Sequence, residues 1–214
     1  MIKVFLADDH TILRDGLKQI LADTDDIEVV GEAADGLEAV KKIQSMEVDV
    51  LVMDMSMPGR SGLELLKQIK SIKPKLPILI LSMHSEDQYA VRSYRAGAAG
   101  YLTKDSASML LVSAIRKIAQ GGIFISPDSA ERMALQFNAA REENNEPHTT
   151  LSNREFQIFQ LLIEGKGLTE IATQLALSVK TVSTHKTHVL EKMQMNNTAE
   201  LIRYAMKHNL IAQS

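Results

Sequence analysis

With 214 residues, 45% of them hydrophobic, the chain has room for one large domain or two small ones with ordinary cores. It has no cysteine, which excludes disulfides, thiolate nucleophiles and cysteine-ligated metals and makes a reducing cytoplasm the expected location; its six histidines show no metal-ligand spacing. The net charge of −3 is uneven: residues 148–214 hold seven Lys and Arg against five Asp and Glu, a surplus of +2 that leaves −5 for the rest and is weak evidence for a nucleic-acid partner.

The opening Met1-Ile-Lys-Val-Phe-Leu-Ala meets Asp8 before a signal-peptide core could form, and reads as a first strand over Ile2 to Ala7. Leu13, Leu17, Ile20 and Leu21 then recur at helical spacing. The same alternation continues with strand Ile27 to Gly31 and helix Leu37 to Ile43, then a strand ending at Asp54 and helix Leu63 to Ile72. Strand Pro77 to Ser82 with helix Gln88 to Ala96, and strand Ala99 to Leu102 with helix Met109 to Gln120, complete the series. Five strands alternating with five helices predict an α/β domain over residues 1–122, a doubly wound five-stranded parallel sheet covered on both faces. Coverage on both faces accounts for strands that are apolar throughout. Ser126-Pro127 offers a cap and a first-turn proline for a further helix near 127–138. From Asn138 to Thr150 the only apolar side chains are two alanines, so residues 123–150 read as a linker containing that helix. Ser152-Asn-Arg-Glu155 is a capping box opening a helix to Glu164, followed by helices Thr169 to Leu175, Val179 to Met193 and Asn197 to His208. Residues 151–214 are therefore predicted to form an all-α four-helix domain. No apolar run approaches the ~18 residues of a membrane span, so a soluble protein without a membrane partner is expected.

The third strand raises a question, because Val50-Leu-Val-Met is apolar enough for burial on both faces yet stops at a carboxylate, Asp54. In a doubly wound sheet of strand order 2-1-3-4-5, ligands bind beyond the carboxyl ends of strands one and three, where the connections reverse direction. Strand one ends in Ala7-Asp8-Asp9, so three carboxylates are expected in one crevice, and their repulsion requires a cation or raised pKa values. A hard divalent ion bound by oxygen answers that need, and Mg²⁺ suits a shallow open cleft better than Ca²⁺. Strands four and five bring Ser82 and Lys104 to the same edge. A metal, a hydroxyl and an ammonium around one carboxylate are what phosphoryl transfer to that carboxylate requires, with Asp54 as acceptor. Each residue alone has an ordinary reading, as a helix cap or a solvated charge; all five at the right strand ends favour the site.

Asp8-Asp9, Asp54 followed by Met-Ser-Met-Pro-Gly, Ser82, and Ala96-Gly-Ala-Ala-Gly-Tyr-Leu-Thr-Lys104 together resemble the receiver domain of two-component response regulators, a flavodoxin-like fold, over residues 1–122. The resemblance implies that Asp9, Asp54 and the main-chain carbonyl of Ser56 ligate Mg²⁺ while Asp8 supports the ion through water. It further implies that Asp54 accepts phosphate from a sensor histidine kinase, that Ser82 and Lys104 bind the phosphoryl oxygens, and that Tyr101 turns inward as Ser82 moves. Without the resemblance, Tyr101 reads as a half-buried packing aromatic.

In the second domain, Thr169 to Leu175, a short turn, and Val179 to Met193 read as helix-turn-helix with Ser178 capping the second helix. Projected at 100° per residue, Val179, Val182, Val189, Leu190 and Met193 fall on one side and Lys180, Ser183, Thr184, Thr187 and Glu191 on the other. Short hydrogen-bonding side chains flanked by cations suit a helix that enters the major groove; Lys186 projects toward the apolar side and is expected to snorkel to a phosphate. His185 and His188 lie at the borders and read as packing or solvated. Leu151-Ser-Asn-Arg-Glu155, Glu170-Ile-Ala172, Leu177-Ser-Val-Lys-Thr-Val-Ser-Thr-His-Lys186 and Thr198-Ala-Glu-Leu201 resemble the LuxR-type helix-turn-helix of the NarL/FixJ subfamily. By that resemblance Ser183, Thr184 and Thr187 face bases, while Lys180, Thr181 and Lys186 face phosphates. The last helix then supplies a dimer contact through Leu201, Ile202 and Ala205, three residues that could equally be core of the domain itself. Gly167-Leu168 departs from the polar cap and Asn common before Glu-Ile-Ala, which puts the local stability of that turn and a phosphate contact there in question.

The expected function is a phosphorylation-controlled transcriptional regulator that binds double-stranded, inverted-repeat operator DNA as a homodimer. It is not an enzyme beyond self-phosphorylation from a phosphodonor and slow self-dephosphorylation. An aspartyl-nucleophile phosphatase would need a second aspartate where Ser56 stands, and the glycine signatures of nucleotide-binding proteins are absent. The alternative is a phosphorylation-independent helix-turn-helix regulator gated by a partner protein.

Overall fold

The computed structural model describes residues 1–57, 62–83, 86–126, 130, 146–208 and 210. They fall into two units that divide near residue 136.

In the first unit the elements run β1 (Ile2–Ala7), α1 (Thr11–Ala22), β2 (Ile27–Ala33), α2 (Gly36–Ser45), β3 (Val50–Asp54), α3 (Gly62–Ile72), β4 (Ile78–Ser82), α4 (Glu86–Arg95), β5 (Gly100–Thr103) and α5 (Lys104–Ala119). All strand pairs are parallel, as the alternating pattern predicts, and the order is β2-β1-β3-β4-β5. Every residue of β3 and β4 is buried. Alternate strand residues, Val4 and Leu6, Val50 and Val52, Leu79 and Leu81, form one core with Leu17 and Leu21 of α1 and Leu111, Ile115 and Ile118 of α5. Each such side chain contributes about 1.5–3 kcal/mol on burial, so the carboxyl ends of the strands stand on a rigid base. The register pairs Ala7 with Met53, Asp54 with Leu81 and Ser82 with Thr103, which brings those ends to one edge.

Two features differ from the sequence pattern. Helix α5 begins a full turn before Met109, because Thr103 caps it by accepting the Ser106 N–H at 3.3 Å, and its first turn is too polar to show in the apolar periodicity. Lys104 is thus the first residue of a helix and no longer a loop lysine. The receiver-like unit also extends past residue 122. Phe124 is 8% exposed, its N–H donates to the Ala99 carbonyl at 2.8 Å, and Tyr94 Oη donates to its carbonyl at 2.7 Å. Gly100 makes this closure possible, since a Cβ there would lie 2.7 Å from Leu79 Cδ1 and 3.2 Å from Phe124 Cβ. The Ala130 N–H donates to the Ser126 carbonyl at 2.9 Å; the remainder of the helix expected near 127–138 lies outside the described residues.

The second unit comprises a 3-10 turn (Pro147–Thr150) and helices α6 (Asn153–Ile163), α7 (Leu168–Gln174), α8 (Val179–Lys192) and α9 (Thr198–Lys207). The linker drawn to residue 150 is therefore too long at this end as well. His148 is 1% exposed, with Nδ1 2.7 Å from Tyr204 Oη and Nε2 3.2 Å from a Glu146 carboxylate oxygen. A polar composition conceals such a residue, because its burial depends on partners far along the chain. The capping box forms as expected: Ser152 Oγ accepts from the Glu155 N–H, and the Glu155 carboxylate accepts from the Ser152 N–H at 2.7 Å. Burial opposes ionisation of Glu155, yet Lys192 Nζ at 2.6 Å and the Ser152 contacts outweigh it and hold the carboxyl below its ordinary 4.5. At α7, Gly167 is the cap, and the Glu170 carboxylate accepts its N–H at 2.7 Å, so only the half of a capping box that needs no cap side chain is made. Leu201 and Ala205 are each 0% exposed and belong to the core of this unit with Phe156, Ile171, Val182 and Val189. They are thus not surface contacts for a partner; of the three dimer candidates only Ile202 keeps accessible surface.

The turn between α7 and α8 is a Schellman motif: the Leu177 N–H donates to the Ala172 carbonyl at 2.8 Å and the Ala176 N–H to the Thr173 carbonyl at 3.2 Å. It requires a left-handed residue, and Ala176 takes φ 51°. A Cβ in that region costs about 1–2 kcal/mol, part of which glycine returns as unfolded-state entropy. Ala176→Gly is expected to stabilise the protein by about 0.5–1 kcal/mol, since the exposed methyl packs on nothing that would be lost. A urea midpoint that falls or stays put would show that the turn carries no such strain.

Candidate functional site

The edge formed by β1, β3 and β5 carries the charges. Asp54 is 0% exposed and Asp8 1% exposed, while Asp9 is partly accessible. One Asp54 oxygen, Oδ1, accepts the Ser56 N–H at 2.9 Å, and the other, Oδ2, accepts from Lys104 Nζ at 2.8 Å. The same ammonium lies 2.9 Å from Asp8 Oδ2. Asp8 Oδ1 in turn accepts the His10 N–H at 2.8 Å, and its main-chain carbonyl accepts from the buried Arg14 guanidinium at 2.6 Å. Arg14 is steadied by Glu32 at 3.1 Å. Asp8 and Asp54 are thus each held by main chain through one oxygen and meet Lys104 with the other.

Burial pushes the Asp54 carboxyl above its ordinary 3.8; the Lys104 ammonium pulls it back and the Asp8 charge adds to the rise. Burial alone would lower Lys104, but Asp54 and Asp8 outweigh it and keep the ammonium above its ordinary 10.5. One firmly charged lysine therefore serves two buried carboxylates and leaves Asp9 uncompensated by it. Donor atoms of Asp8, Asp9, His10 and Asp54 all lie within 4.8 Å of one another. An oxygen-rich set of this kind fits a hard divalent cation such as Mg²⁺. Asp8, Asp9, Asp54 and Lys104 are brought together as expected. Ser82 is fully buried at the end of β4, next to the Leu81 that pairs with Asp54, and Ser56 enters the site through its amide. Tyr101 is 1% exposed and not half-buried, because β5 is covered by α4 and α5.

Two participants escaped the sequence reading. Arg14 looks like a surface charge on α1, and only the fold turns it under Asp8. His10 has no metal-ligand spacing to another histidine; its neighbours here are aspartates at the ends of two strands. Its position directly after Asp8-Asp9 was the available signal.

In the second unit, Ser178 caps α8 by accepting the Thr181 N–H at 3.0 Å. Val182, Val189 and Met193 are buried against the other helices, whereas Val179, assigned to the apolar side, is 44% exposed because the first turn projects beyond them. Lys180, Ser183, Thr184 and Thr187 are exposed along one face, and Thr181 and Lys186 are partly so. The Thr184 and Thr187 hydroxyls donate to the Lys180 and Ser183 carbonyls at 3.1 and 3.2 Å, leaving their lone pairs outward. Lys192 is committed to Glu155 and does not belong to this face.

Comparison with known proteins places both units. Residues 4–116 match the response regulator receiver domain family, and residues 149–205 match the family described as bacterial regulatory proteins, luxR family. The chain is 40% identical over 215 residues to the oxygen regulatory protein NreC of Staphylococcus carnosus, covering 98% of this chain and 99% of that one. It is 40% identical over 210 residues to the response regulator UvrY of Escherichia coli strain K12, covering 98% and 96% respectively. Among solved structures it is similar to RcsB of Salmonella enterica serovar Typhimurium bound to promoter rprA in the presence of the phosphomimetic BeF3−. That match has a TM-score of 0.65 and 28% identity, over 96% of this chain and 99% of that one.

Proposed function

Since the chain belongs to the response regulators that join a receiver domain to a LuxR-type DNA-binding domain, we propose that phosphorylation of Asp54 controls its hold on operator DNA. It is a DNA-binding transcription regulator; the phosphoryl chemistry, the kinase and the dimer are the parts inferred. The observation that carries the reading is the Lys104 ammonium set between Asp54 and Asp8, within 2.9 Å of each, at the carboxyl edge of the sheet. RcsB, a relative of the same build, was captured on a promoter with a phosphomimetic.

Asp54 attacks the phosphorus of a phosphohistidine on a sensor kinase, the P–N bond breaks, and the phosphoryl group passes to a carboxylate oxygen. Asp9, Asp54 and the Ser56 carbonyl would hold Mg²⁺, with Asp8 supporting it through water, and the ion when bound offsets charge on the transferring oxygens. Lys104 and the Ser82 hydroxyl donate to phosphoryl oxygens, and the displacement of Ser82 is relayed to Tyr101 behind it. Self-phosphorylation from a small donor and slow self-hydrolysis are the only chemistry of the chain itself. Among the described residues no helix is long and apolar enough to cross a membrane, which accords with a cytoplasmic regulator.

The phosphorylated protein dimerises and sets two copies of α8 in successive major grooves of an inverted repeat, with half-sites about 10 bp apart. Ser183, Thr184 and Thr187 read base edges, and Lys180, Thr181 and Lys186 contact phosphates. Ile202, with the exposed Ala199, Arg203 and Met206 of α9, offers the dimer face in place of the buried Leu201 and Ala205.

Selecting bound duplexes from a random pool, with and without acetyl phosphate plus Mg²⁺, tests the whole reading. A recurrent inverted repeat recovered chiefly with the donor is expected. Equal recovery in both arms would remove phosphorylation from control, and no enrichment in either would remove the sequence-specific DNA contact.

A further inference from the structure

His10 stands at the mouth of the acidic cleft in a role that helix formation does not explain. It is the N-cap of α1, with φ −85° and ψ 100°, yet its side chain caps nothing. Ser, Asp or Asn at that position would satisfy an orphan amide, and a histidine that fails to do so has its ring available for something else. The ring turns over the carboxylates instead. Its Nδ1 lies 3.0 Å from Asp9 Oδ1, 3.2 Å from Asp8 Oδ1 and 3.9 Å from Asp54 Oδ2, and 3.5 Å from Lys104 Nζ, a contact that a bound metal would replace.

We infer that His10 adds a nitrogen ligand to the acidic site, so that the receiver takes Mn²⁺ and other imidazole-accepting transition ions in preference to Mg²⁺. The inference rests on the proposed metal site and concerns which ion that site selects. Adjacent ligands on a six-coordinate ion with bonds of ~2.1 Å stand about 3 Å apart, and Nδ1 has that separation from one oxygen of Asp9, a direct ligand of the proposed site. The main chain fixes the arrangement: the His10 N–H holds the Asp8 carboxylate that its own ring adjoins, and Arg14 anchors the Asp8 carbonyl. Softness then decides selectivity. Mg²⁺ sheds water reluctantly and gains little from an imidazole, whereas the first-row transition ions accept nitrogen readily and rise in affinity along the Irving–Williams order.

The ring is 61% exposed, so replacing it removes no packing from the core. His10→Asn offers α1 a better cap without the imidazole and separates loss of a ligand from loss of a helix end. The experiment is calorimetric titration of the full chain with Mg²⁺ and with Mn²⁺, together with pulsed EPR of the Mn²⁺ complex, on wild type, His10→Ala, His10→Asn and Asp9→Asn. Wild type should bind Mn²⁺ more tightly than Mg²⁺ and show nitrogen modulation from a directly bound imidazole. Both His10 variants should lose that modulation and about tenfold or more in Mn²⁺ affinity while keeping their Mg²⁺ affinity. Nitrogen modulation that is missing in wild type, or that survives in both His10 variants, overturns the inference. So does a rise in affinity for both ions in His10→Ala, which would make the ring a plug that metals displace. Asp9→Asn probes the underlying site separately: it should weaken both ions, and Mg²⁺ binding that ignored it would remove the proposed metal site itself.

Discussion

Asp54→Asn is expected to lose phosphoryl incorporation from acetyl phosphate and at the same time to raise the thermal stability of the metal-free protein. The first effect follows from removing the nucleophile, which should lower incorporation by on the order of 10³-fold or more, read by phosphate-affinity gel or intact mass. The second follows from the environment of the carboxyl. Its pKa in the fold stands above the ordinary 3.8, chiefly through burial, with Lys104 opposing and Asp8 adding to the rise. A group that holds its proton more tightly when folded stabilises the fold at pH values below its unfolded pKa, and that contribution is lost as pH rises through the folded pKa. At neutral pH the ionised Asp54 is therefore a net liability, and the isosteric amide removes it. The gain should be about 1 kcal/mol, roughly 4 °C for a domain of this size. It should shrink as pH falls through the folded pKa, where wild-type Asp54 takes up its proton, and shrink again on adding Mg²⁺. Undiminished phosphorylation would displace Asp54 as acceptor; a lower melting temperature at pH 7 would show that Lys104 overcompensates for burial. The site thus holds one carboxylate, Asp54, that costs stability in return for reactivity, a common trade at functional positions.

On the DNA side, the largest effect is expected from replacing Ser183, Thr184 and Thr187 together by Ala. These hydroxyls lie on the exposed face of α8, and those of Thr184 and Thr187 direct their hydrogens at Lys180 and Ser183 carbonyls. They are thereby predisposed to accept from base amino groups, adenine N6 or cytosine N4. Losing three base contacts at about 1–3 kcal/mol each should weaken operator binding by at least about 10²-fold and flatten discrimination between sequences. The fold should survive, because alanine favours helix more than serine or threonine. Lys180→Glu should behave differently, weakening all duplexes alike and reducing the salt dependence of binding, as a phosphate contact would. Titration of operator and scrambled duplexes at two salt concentrations distinguishes the two patterns. A triple variant that kept its preference for operator would move base reading off this face of α8.

Much of this was legible before any coordinates. The alternation of strands and helices, the 2-1-3-4-5 order adopted for a doubly wound sheet, and the rule that ligands gather beyond the strand ends located Asp8, Asp9, Asp54, Ser82 and Lys104 at one edge. Spacing of 3.6 residues picked out most of the two faces of α8, and Ser152 and Glu155 announced the start of α6. The misreadings share a cause. Leu201 and Ala205 are core, His148 is buried and Phe124 closes on β5. In each case burial is conferred by residues remote in sequence, such as Tyr204 for His148, and no local window contains them.

Periodicity and strand-end chemistry, which are local properties of the chain, by themselves determined the two-domain architecture and the gathering of carboxylates at one edge of the sheet. The tertiary structure alone decided which oxygen of Asp8 and of Asp54 is held by main chain, that Lys104 begins a helix, and that His10 joins the acidic cleft. Those outcomes depend on separations of about 3 Å between side chains carried by different elements. Such distances are set by how β1, β3 and α5 pack, and no spacing along the chain encodes them.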